Sequence, residues 1–500
     1  MRVCIIITAK MENLKQKRKN CLFHDTISFM EEKFLSPKEL EERMERFSLS
    51  YHLIDVHRDR LSFYRLTPDD LKKPELWLCN SGVCLNLIMD GELERAEQMI
   101  NSIPDQGPMK VLRDGMRIVH PKVSWKEILG IIGYLRSINT PLIHVVLTAG
   151  RPSVINGFGD FSRIFPFLER QKDFVLEELS WIYDKEICPF IYEMFLAEYY
   201  YQQDRLLDAE VHVGKTIKAF DKGGESRLLF AALFLQTKIL IAQGKLVESH
   251  SYIKNIRKYV KEKGEAEFSY NIDSADVMTA FYDGNLGRIS RWRKNKSPDE
   301  YADFNMLDLY RYMVKMRCYI IEKKYTALLA LAEKLRPLLE EGNRFMDLCE
   351  MDVLVAICFY RVQKKELAFE AFDRALKIAR RRKFYRLVGD EGAAVVKLLI
   401  DYIKERGESI FLMKLLEIAR SMAISHPLYL NDRNINTEAL SQREVEILKL
   451  LEQGKSKEEI SDFYFISENT VKFHMKNIFS KLKVKSSLEA VWEARVMGLI

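Results

Sequence analysis

The stretch that decides the architecture runs from Leu440 to Val491 and reads LSQREVEILKLLEQGKSKEEISDFYFISENTVKFHMKNIFSKLKVKSSLEAV. Its polar residues punctuate four short helices. Ser441 precedes Glu444 by three residues, as Ser456 precedes Glu459 and Ser486 precedes Glu489. In each pair the hydroxyl can accept from an orphan backbone N–H while the carboxylate reaches back to the N–H of the cap. Ser467 is a fourth cap candidate, with Glu468 placed at the positive end of a helix dipole. Just before it lie Tyr464, Phe465 and Ile466, a tight apolar connection. Two short helices joined this closely describe a helix-turn-helix, whose second helix can enter a major groove.

The helix after Ser467 separates its faces. Val471, Met475, Ile478 and Leu482 recur at helical spacing and are expected to pack inward. Lys472, Phe473, Lys476 and Ser480 point elsewhere. From Asn469 to Lys485 there is no acidic residue, while Lys472, Lys476, Lys481, Lys483 and Lys485 all fall there. From Glu438 to Glu468, eight carboxylates stand against four basic residues. The segment is therefore polarised, with its positive end at the candidate recognition helix, an electrostatic footprint for phosphate.

These residues resemble the LuxR-type DNA-binding domain over roughly the last sixty positions. The likeness is carried by LSQREVEIL, GKSKEEI and ISENTVKFHMKNIFSKLKV together. The resemblance implies that Lys472, Phe473 and Lys476 reach base edges and that Ser467 and Thr470 lie near phosphates. Asn469, Ser480, Lys481 and Lys485 complete the candidate DNA-facing set on this helix and just after it. Four positions depart from the family pattern: Ser461 for alanine, Tyr464 for leucine, Lys483 for glycine and Ser487 for arginine. The first two imply local repacking of the core; the last two alter the turn after the recognition helix and one phosphate contact.

Five hundred residues predict two or three domains, and 47% apolar residues suffice for a sizeable core. A net charge of +6 is modest for this length, so a nucleic-acid reading rests on where the charges sit. Eight cysteines without a CxxC pair, and no histidine cluster, point to reduced thiols and no metal site. The N-terminal apolar run, Val3 to Ile7, is too short for a membrane helix. The expectation is a soluble, cytoplasmic protein without membrane contact.

Residues 1–73 are mixed, with a helical pattern from Pro37 to Phe47 and a short strand expected at Arg60 to Leu66. From Pro74 the texture is helical, and Asp90-Gly91-Glu92-Leu93 leading to Ala96 sets a signature that returns. Its later copies lead into Ala209, Ser249, Ile289, Leu328 and Ala368, spaced 40, 40, 39 and 40 residues apart. A fixed period of this size marks stacked helix hairpins. Ala368, Phe372 and Ala375 follow the small–aromatic–small spacing of a tetratricopeptide second helix. The array is expected over residues 74–423.

The early part is interrupted by Pro141 to Phe161, PLIHVVLTAGRPSVINGFGDF. The favoured reading is a structural insert that caps or bends the superhelix; the alternative is an effector-contacting loop with Arg151 available for an anion. Basic runs at Arg291–Lys296 and Arg380–Arg386 fall near helix ends, where cations suit dipole and solvent. Pro427 and the neighbouring Asn and Asp residues mark a linker over residues 424–438, ahead of the terminal domain at residues 439–500.

No catalytic constellation is legible. Gly214-Lys215-Thr216 resembles the end of a P-loop, but Ala209 stands where that motif needs glycine. Gly157 and Gly159 lack the third glycine of a dinucleotide turn. Helical repeats ahead of a LuxR-type domain are similar to the C-terminal half of the maltose-regulator-like activators; the ATPase module of that family is not legible here. The sequence thus predicts an all-α chain, an α-solenoid of hairpins plus a four-helix helix-turn-helix domain, without cofactor or enzymatic activity. The function expected is transcription regulation: an effector or protein partner binds the repeats and double-stranded DNA binds the terminal domain, as a homodimer paired through Ala490, Val491 and Ala494. The alternative is an interaction scaffold that does not read DNA, which leaves the lysine-rich face of the third helix unexplained.

Overall fold

The computed structural model describes residues 34–46, 53–138, 150–183, 185–220, 226–263, 269–430, 440–482, 484, 486–496 and 500. Among them there is no strand; Asn156 and Asp160 form an isolated bridge. The chain opens with α1 (Pro37–Glu45), α2 (Leu53–Arg58) and α3 (Arg60–Phe63). There follow α4 (Cys79–Met89), α5 (Leu93–Ser102), α6 (Gly107–Val119) and α7 (Trp125–Ile138). Beyond the loop come α8 (Phe165–Leu168) and α9 (Lys172–Ile182).

The array proper pairs α10 (Cys188–Gln202) with α11 (Leu206–Phe220), and α12 (Ser226–Ala242) with α13 (Leu246–Lys263). It continues as α14 (Ser269–Tyr282) with α15 (Leu286–Asn295), α16 (Leu309–Ile321) with α17 (Tyr325–Glu341), and α18 (Phe345–Arg361) with α19 (Lys365–Arg382). It ends on α20 (Tyr385–Gly389), α21 (Val396–Arg406) and α22 (Ile410–Ser425).

The repeating signature has a local cause. Ala96, Ala209, Ser249, Ile289, Leu328 and Ala368 are each the fourth residue of the second helix of a pair, and all are buried. Five residues before each anchor the backbone turns left-handed, at Gly91, Asp204, Gly244, Gly284, Lys323 and Gln363. The next N–H then bonds back five residues, as Glu92 to Leu87 O (2.8 Å), Lys245 to Leu240 O (2.8 Å) and Lys364 to Phe359 O (3.0 Å). This is a Schellman ending, which satisfies carbonyls the first helix leaves unpaired and turns the chain into the second. Small or apolar anchors then bury against the neighbouring helix, and one continuous hydrophobic cluster extends from Val154 to Leu430.

The curvature of this array brings its end back to its beginning. Tyr201 on α10 donates to Asp390 (2.6 Å), Arg386 pairs with Asp204 (3.0 Å), and His426 Nε2 meets the Ile241 carbonyl (2.8 Å). The described part of the loop, from Gly150 to Phe161, fills the enclosed space. Asn156 donates to Asp347 (2.9 Å), Arg344 to the Gly157 carbonyl, and Met346 N–H to Asp160 (3.1 Å). Val154 N–H and Ser153 Oγ both donate to Glu198, at 2.8 and 2.6 Å.

Several expectations are corrected by this packing. Arg151 is not available for an outside anion: it is buried and paired with Glu350 and with Asp347 (3.0 Å). The remainder of that loop, residues 141–149, lies outside the described residues, as does the run Val3–Ile7. Arg60 to Phe63 is helical rather than extended, because α3 lays Phe63 into a core with Leu40, Leu53 and Val56. The same cluster includes Cys79, Leu87 and Ile100, so the expected boundary at residues 73/74 runs through packed side chains rather than past an irregular region. In the basic run Arg380–Arg386, Arg382 is buried and donates to Ser162 (2.6 Å), and Arg386 is buried against Asp390 (2.6 Å). In the expected linker, Tyr429 and Leu430 are buried in the array's core; residues 431–438 lie outside the described set.

Candidate nucleic-acid interface

The terminal domain consists of α23 (Gln442–Glu452), α24 (Lys457–Tyr464), α25 (Glu468–Leu482) and α26 (Ser487–Val496). Ser441 and Ser456 close full capping boxes with Glu444 and Glu459. Ser467 Oγ accepts from Thr470 N–H (3.2 Å), and Ser486 Oγ from Glu489 N–H (3.2 Å). The turn between α24 and α25 is another Schellman ending: Phe465 is left-handed (φ 53°) and Ile466 N–H reaches the Ser461 carbonyl (3.0 Å). Holding an L-residue there costs about 1 kcal/mol, and the Phe465 side chain is 96% exposed.

A small core fixes the orientation of α25. Val471, Met475, Ile478 and Leu482 are buried against Ile447, Leu448, Ile460, Ala490 and Ala494. The opposite stripe carries Asn469, Lys472, Phe473, Lys476 and Ser480, all exposed, at i, i+3, i+4, i+7 and i+11. Ser467 is exposed and Thr470 half-buried at the start of the helix. A fifteen-residue helix is about 22 Å long, and a major groove about 12 Å wide admits it. Lys472 also lies 3.4 Å from Glu468 one turn earlier, an exposed pair that sets the rotamer more than the stability.

Lys481 is placed differently. Its ammonium lies 2.7 Å from Glu444 Oε2 and its side chain is only 14% exposed. Burial pushes the Glu444 carboxyl up, but hydrogen bonds from Lys481 and from the Ser441 cap outweigh it and hold it below the usual range. The structure thus groups Asn469, Lys472, Phe473, Lys476 and Ser480, and turns Lys481 towards the first helix. Lys483 and Lys485 lie outside the described residues.

Two of the four departures from the family pattern, Ser461 and Tyr464, have local accounts. Ser461 is buried and spends its hydroxyl on the Glu458 carbonyl (2.8 Å), so a polar atom replaces a methyl without being orphaned. Tyr464 packs its ring under the Arg443 guanidinium, 3.4 Å from the ring centroid, a contact sequence spacing alone did not suggest. The expected pairing surface on α26 is corrected: Ala490 and Ala494 have no exposure and complete the domain's own core, while Val491 packs partly against it.

Sequence reading also missed a polar cluster inside the array, formed by Glu198, Lys238, Arg317, Glu350 and Glu391. These positions lie far apart in the chain. The signal was a basic residue within an apolar stretch of helix, as Lys238 in LFLQTKILIA and Lys315 with Arg317 in MVKMRCYII.

Comparison with known proteins matches both parts. Residues 186–405 match the family described as the MalT-like TPR region, and residues 438–494 the bacterial regulatory proteins of the luxR family. The chain is similar to the HTH-type transcriptional regulator AlkS of Alcanivorax borkumensis, 33% identical over 106 residues, which are 21% of this chain and 12% of that protein. It is 42% identical over 86 residues to the CsgBAC operon transcriptional regulatory protein of Escherichia coli, 17% of this chain and 38% of the relative. The response regulator protein VraR of Staphylococcus aureus is 40% identical over 96 residues, 19% of this chain and 42% of the relative. The chain therefore spans well under two thirds of the length of each of these relatives. Among the described residues no helix is long and apolar enough to cross a membrane. The array over residues 186–405 is a MalT-like TPR region, and residues 438–494 are a helix-turn-helix domain of the luxR family of bacterial regulatory proteins.

Proposed function

We propose that this protein is a DNA-binding transcription regulator of the cytoplasm. Its repeat array senses an effector or partner, its terminal domain reads duplex DNA, and it acts by binding rather than by catalysis. The observation that carries this reading is the exposed stripe Asn469, Lys472, Phe473, Lys476 and Ser480, set by a core that leaves it facing outward. In this reading Lys472, Phe473 and Lys476 contact base edges, and Ser467 and Thr470 lie against phosphate at the positive end of α25. Lys485 belongs to the same phosphate-facing set. Lys481 supports the interface by holding α25 against α23 (Gln442–Glu452). The relatives, all named as regulators, support it as well.

One recognition helix contacts few base pairs, so two copies are expected on half-sites about one helical turn apart. With Ala490 and Ala494 in the core, the pairing surface on α26 (Ser487–Val496) falls to the side bearing Leu488, which is 81% exposed. The test is a genome-wide map of DNA bound in the host, for the native chain and for Lys472→Glu and Lys476→Glu. Discrete sites lost in both variants are expected. A map unchanged by either substitution would overturn the reading. Footprinting of a mapped site decides the pairing: protection of a single half-site would rule the dimer out.

A further inference from the structure

The closed array surrounds a cavity of about 100 Å³, with Tyr282, Met278 and Met422 on an apolar wall. The remaining wall is ionic, and most of its charges are already matched. Arg151 pairs with Glu350 and Asp347; Arg317 pairs with Glu350 (2.8 Å) and Glu391; Arg386 pairs with Asp390 (2.6 Å) and Asp204 (3.0 Å). Glu198 accepts from Ser153 Oγ, Val154 N–H and Ile155 N–H.

Lys238 is the exception. Among the described residues its ammonium has neither a hydrogen bond nor an ion pair; its nearest partner is the face of the Tyr201 ring, 4.7 Å away. It keeps some accessible surface in the middle of α12 (Ser226–Ala242), where Thr237 and Ile239 beside it are buried, and that surface opens on the cavity it lines. Burial lowers its pKa, with Asp390 opposing and Arg151 reinforcing the shift. Asp390 and Glu350 act on it only from a distance, and an interior ammonium with no direct partner is costly unless something enters to pair it.

The cavity's size and charge restrict what that is. A space of roughly 150 Å³ takes benzene, so about 100 Å³ takes about four or five heavy atoms. The lining cations Arg151, Lys238, Arg317 and Arg386 face the carboxyls of Glu198, Glu350, Asp390 and Glu391. Burial pushes Glu198 up to about 7 and raises Glu391, while it lowers Lys238, so the four cations and four carboxyls of the wall stand close to balance. That balance suits one negative charge and disfavours two.

We propose that the cavity is a binding site for a small organic monocarboxylate of two or three carbons, its carboxylate on Lys238 Nζ and its carbon end against Tyr282 and Met422. This rests on the reading of the array as the sensing part, and names the chemistry and place of what it senses.

The test uses the full chain, titrated calorimetrically with sodium acetate and sodium propionate. Sodium chloride at equal ionic strength and sodium succinate serve as controls. Saturable binding of acetate or propionate, absent for chloride and at least tenfold weaker for succinate, is expected. Lys238→Met should weaken it at least tenfold while raising the melting temperature of the ligand-free protein, since an unpaired buried charge is removed. Should that variant not fold, Met278→Phe, which fills the space and keeps the charge, is expected to abolish binding. No saturable heat with native protein, or binding unchanged in these variants, overturns the site. A mobility shift on a mapped genomic fragment, with and without propionate, tests the sensing role separately. Calorimetric binding without any change in DNA affinity overturns sensing and leaves the site standing.

Discussion

Lys481 on α25 (Glu468–Leu482) and Ser441 at the start of α23 (Gln442–Glu452) meet on one atom. Glu444 Oε2 accepts from the Lys481 ammonium at 2.7 Å and from the Ser441 N–H at 2.6 Å. A local capping box and a tertiary ion pair are therefore one unit, which fixes the helix carrying the exposed stripe to the first helix of its domain.

Removing that unit should loosen the domain without touching the stripe. Glu444→Ala loses a cap and a half-buried pair, at a cost of about 1–2 kcal/mol. Hydrogen exchange of peptides over residues 442–452 in the full chain should accelerate accordingly. The native carboxyl has its pKa lowered by folding, so its stabilisation is present above the unfolded value, about 4.3, and is lost as pH falls through the folded one. An exchange rate independent of the substitution at neutral pH would refute the coupling.

The two lysines near the end of α25 should behave differently towards DNA. Lys476 is exposed on the stripe, so Lys476→Glu is expected to lower affinity at least ten- to hundredfold, as base-edge contacts are worth about 1–3 kcal/mol. Lys481 is already occupied by Glu444, so Lys481→Ala should leave the salt dependence of binding nearly unchanged and lower thermal stability instead. Titrations at three salt concentrations separate the cases. A salt slope reduced by about one in Lys481→Ala would place that lysine on phosphate.

Beyond α22 (Ile410–Ser425), Tyr429 anchors the chain to the array. Its hydroxyl accepts from Arg317 Nε (2.9 Å) and donates to Glu391 (2.9 Å), and the residue is 1% exposed. Tyr429→Phe removes one contact from Arg317 Nε and one from Glu391, which stay paired with each other, and should cost about 1–3 kcal/mol in the melting of the array. Chymotrypsin should also spare the bonds after Tyr429 and Leu430 in the native chain, since both residues are buried. Early cleavage after Tyr429 would contradict its burial.

Gln363 holds the left-handed position of its turn (φ 60°), where Gly91, Gly244 and Gly284 stand in other repeats. Relieving an L-residue there is worth about 1 kcal/mol, less the entropy that glycine adds to the unfolded chain. Gln363→Gly should raise stability by roughly 0.5 kcal/mol, read from the denaturation midpoint at constant slope. A lowered midpoint would show that the side chain contributes more than the turn costs.

Much of the molecule is written in short-range chemistry. Ser441 with Glu444, Ser456 with Glu459, and the spacing of Val471, Met475, Ile478 and Leu482 were legible because caps and helix faces involve residues within one or two turns. The anchors from Ala209 to Ala368 were legible for the same reason, each following a local turn. What the sequence could not decide is where charges far apart in the chain end up. Arg151 looked free for an anion but meets Glu350, 199 residues on; Tyr201 meets Asp390 and Arg382 meets Ser162 across similar separations. Those contacts depend on the curvature that many small rotations between repeats add up to, which no single repeat encodes. Ala490 and Ala494 carried the same ambiguity on a smaller scale, since a small residue on a helix suits a core and an interface equally until the third dimension assigns it. The sequence by itself determined the repeat hairpins, their turns and the face α25 buries; the tertiary structure alone decided that Arg60–Phe63 is helical, that the array closes and that Lys238 lacks a direct partner within it.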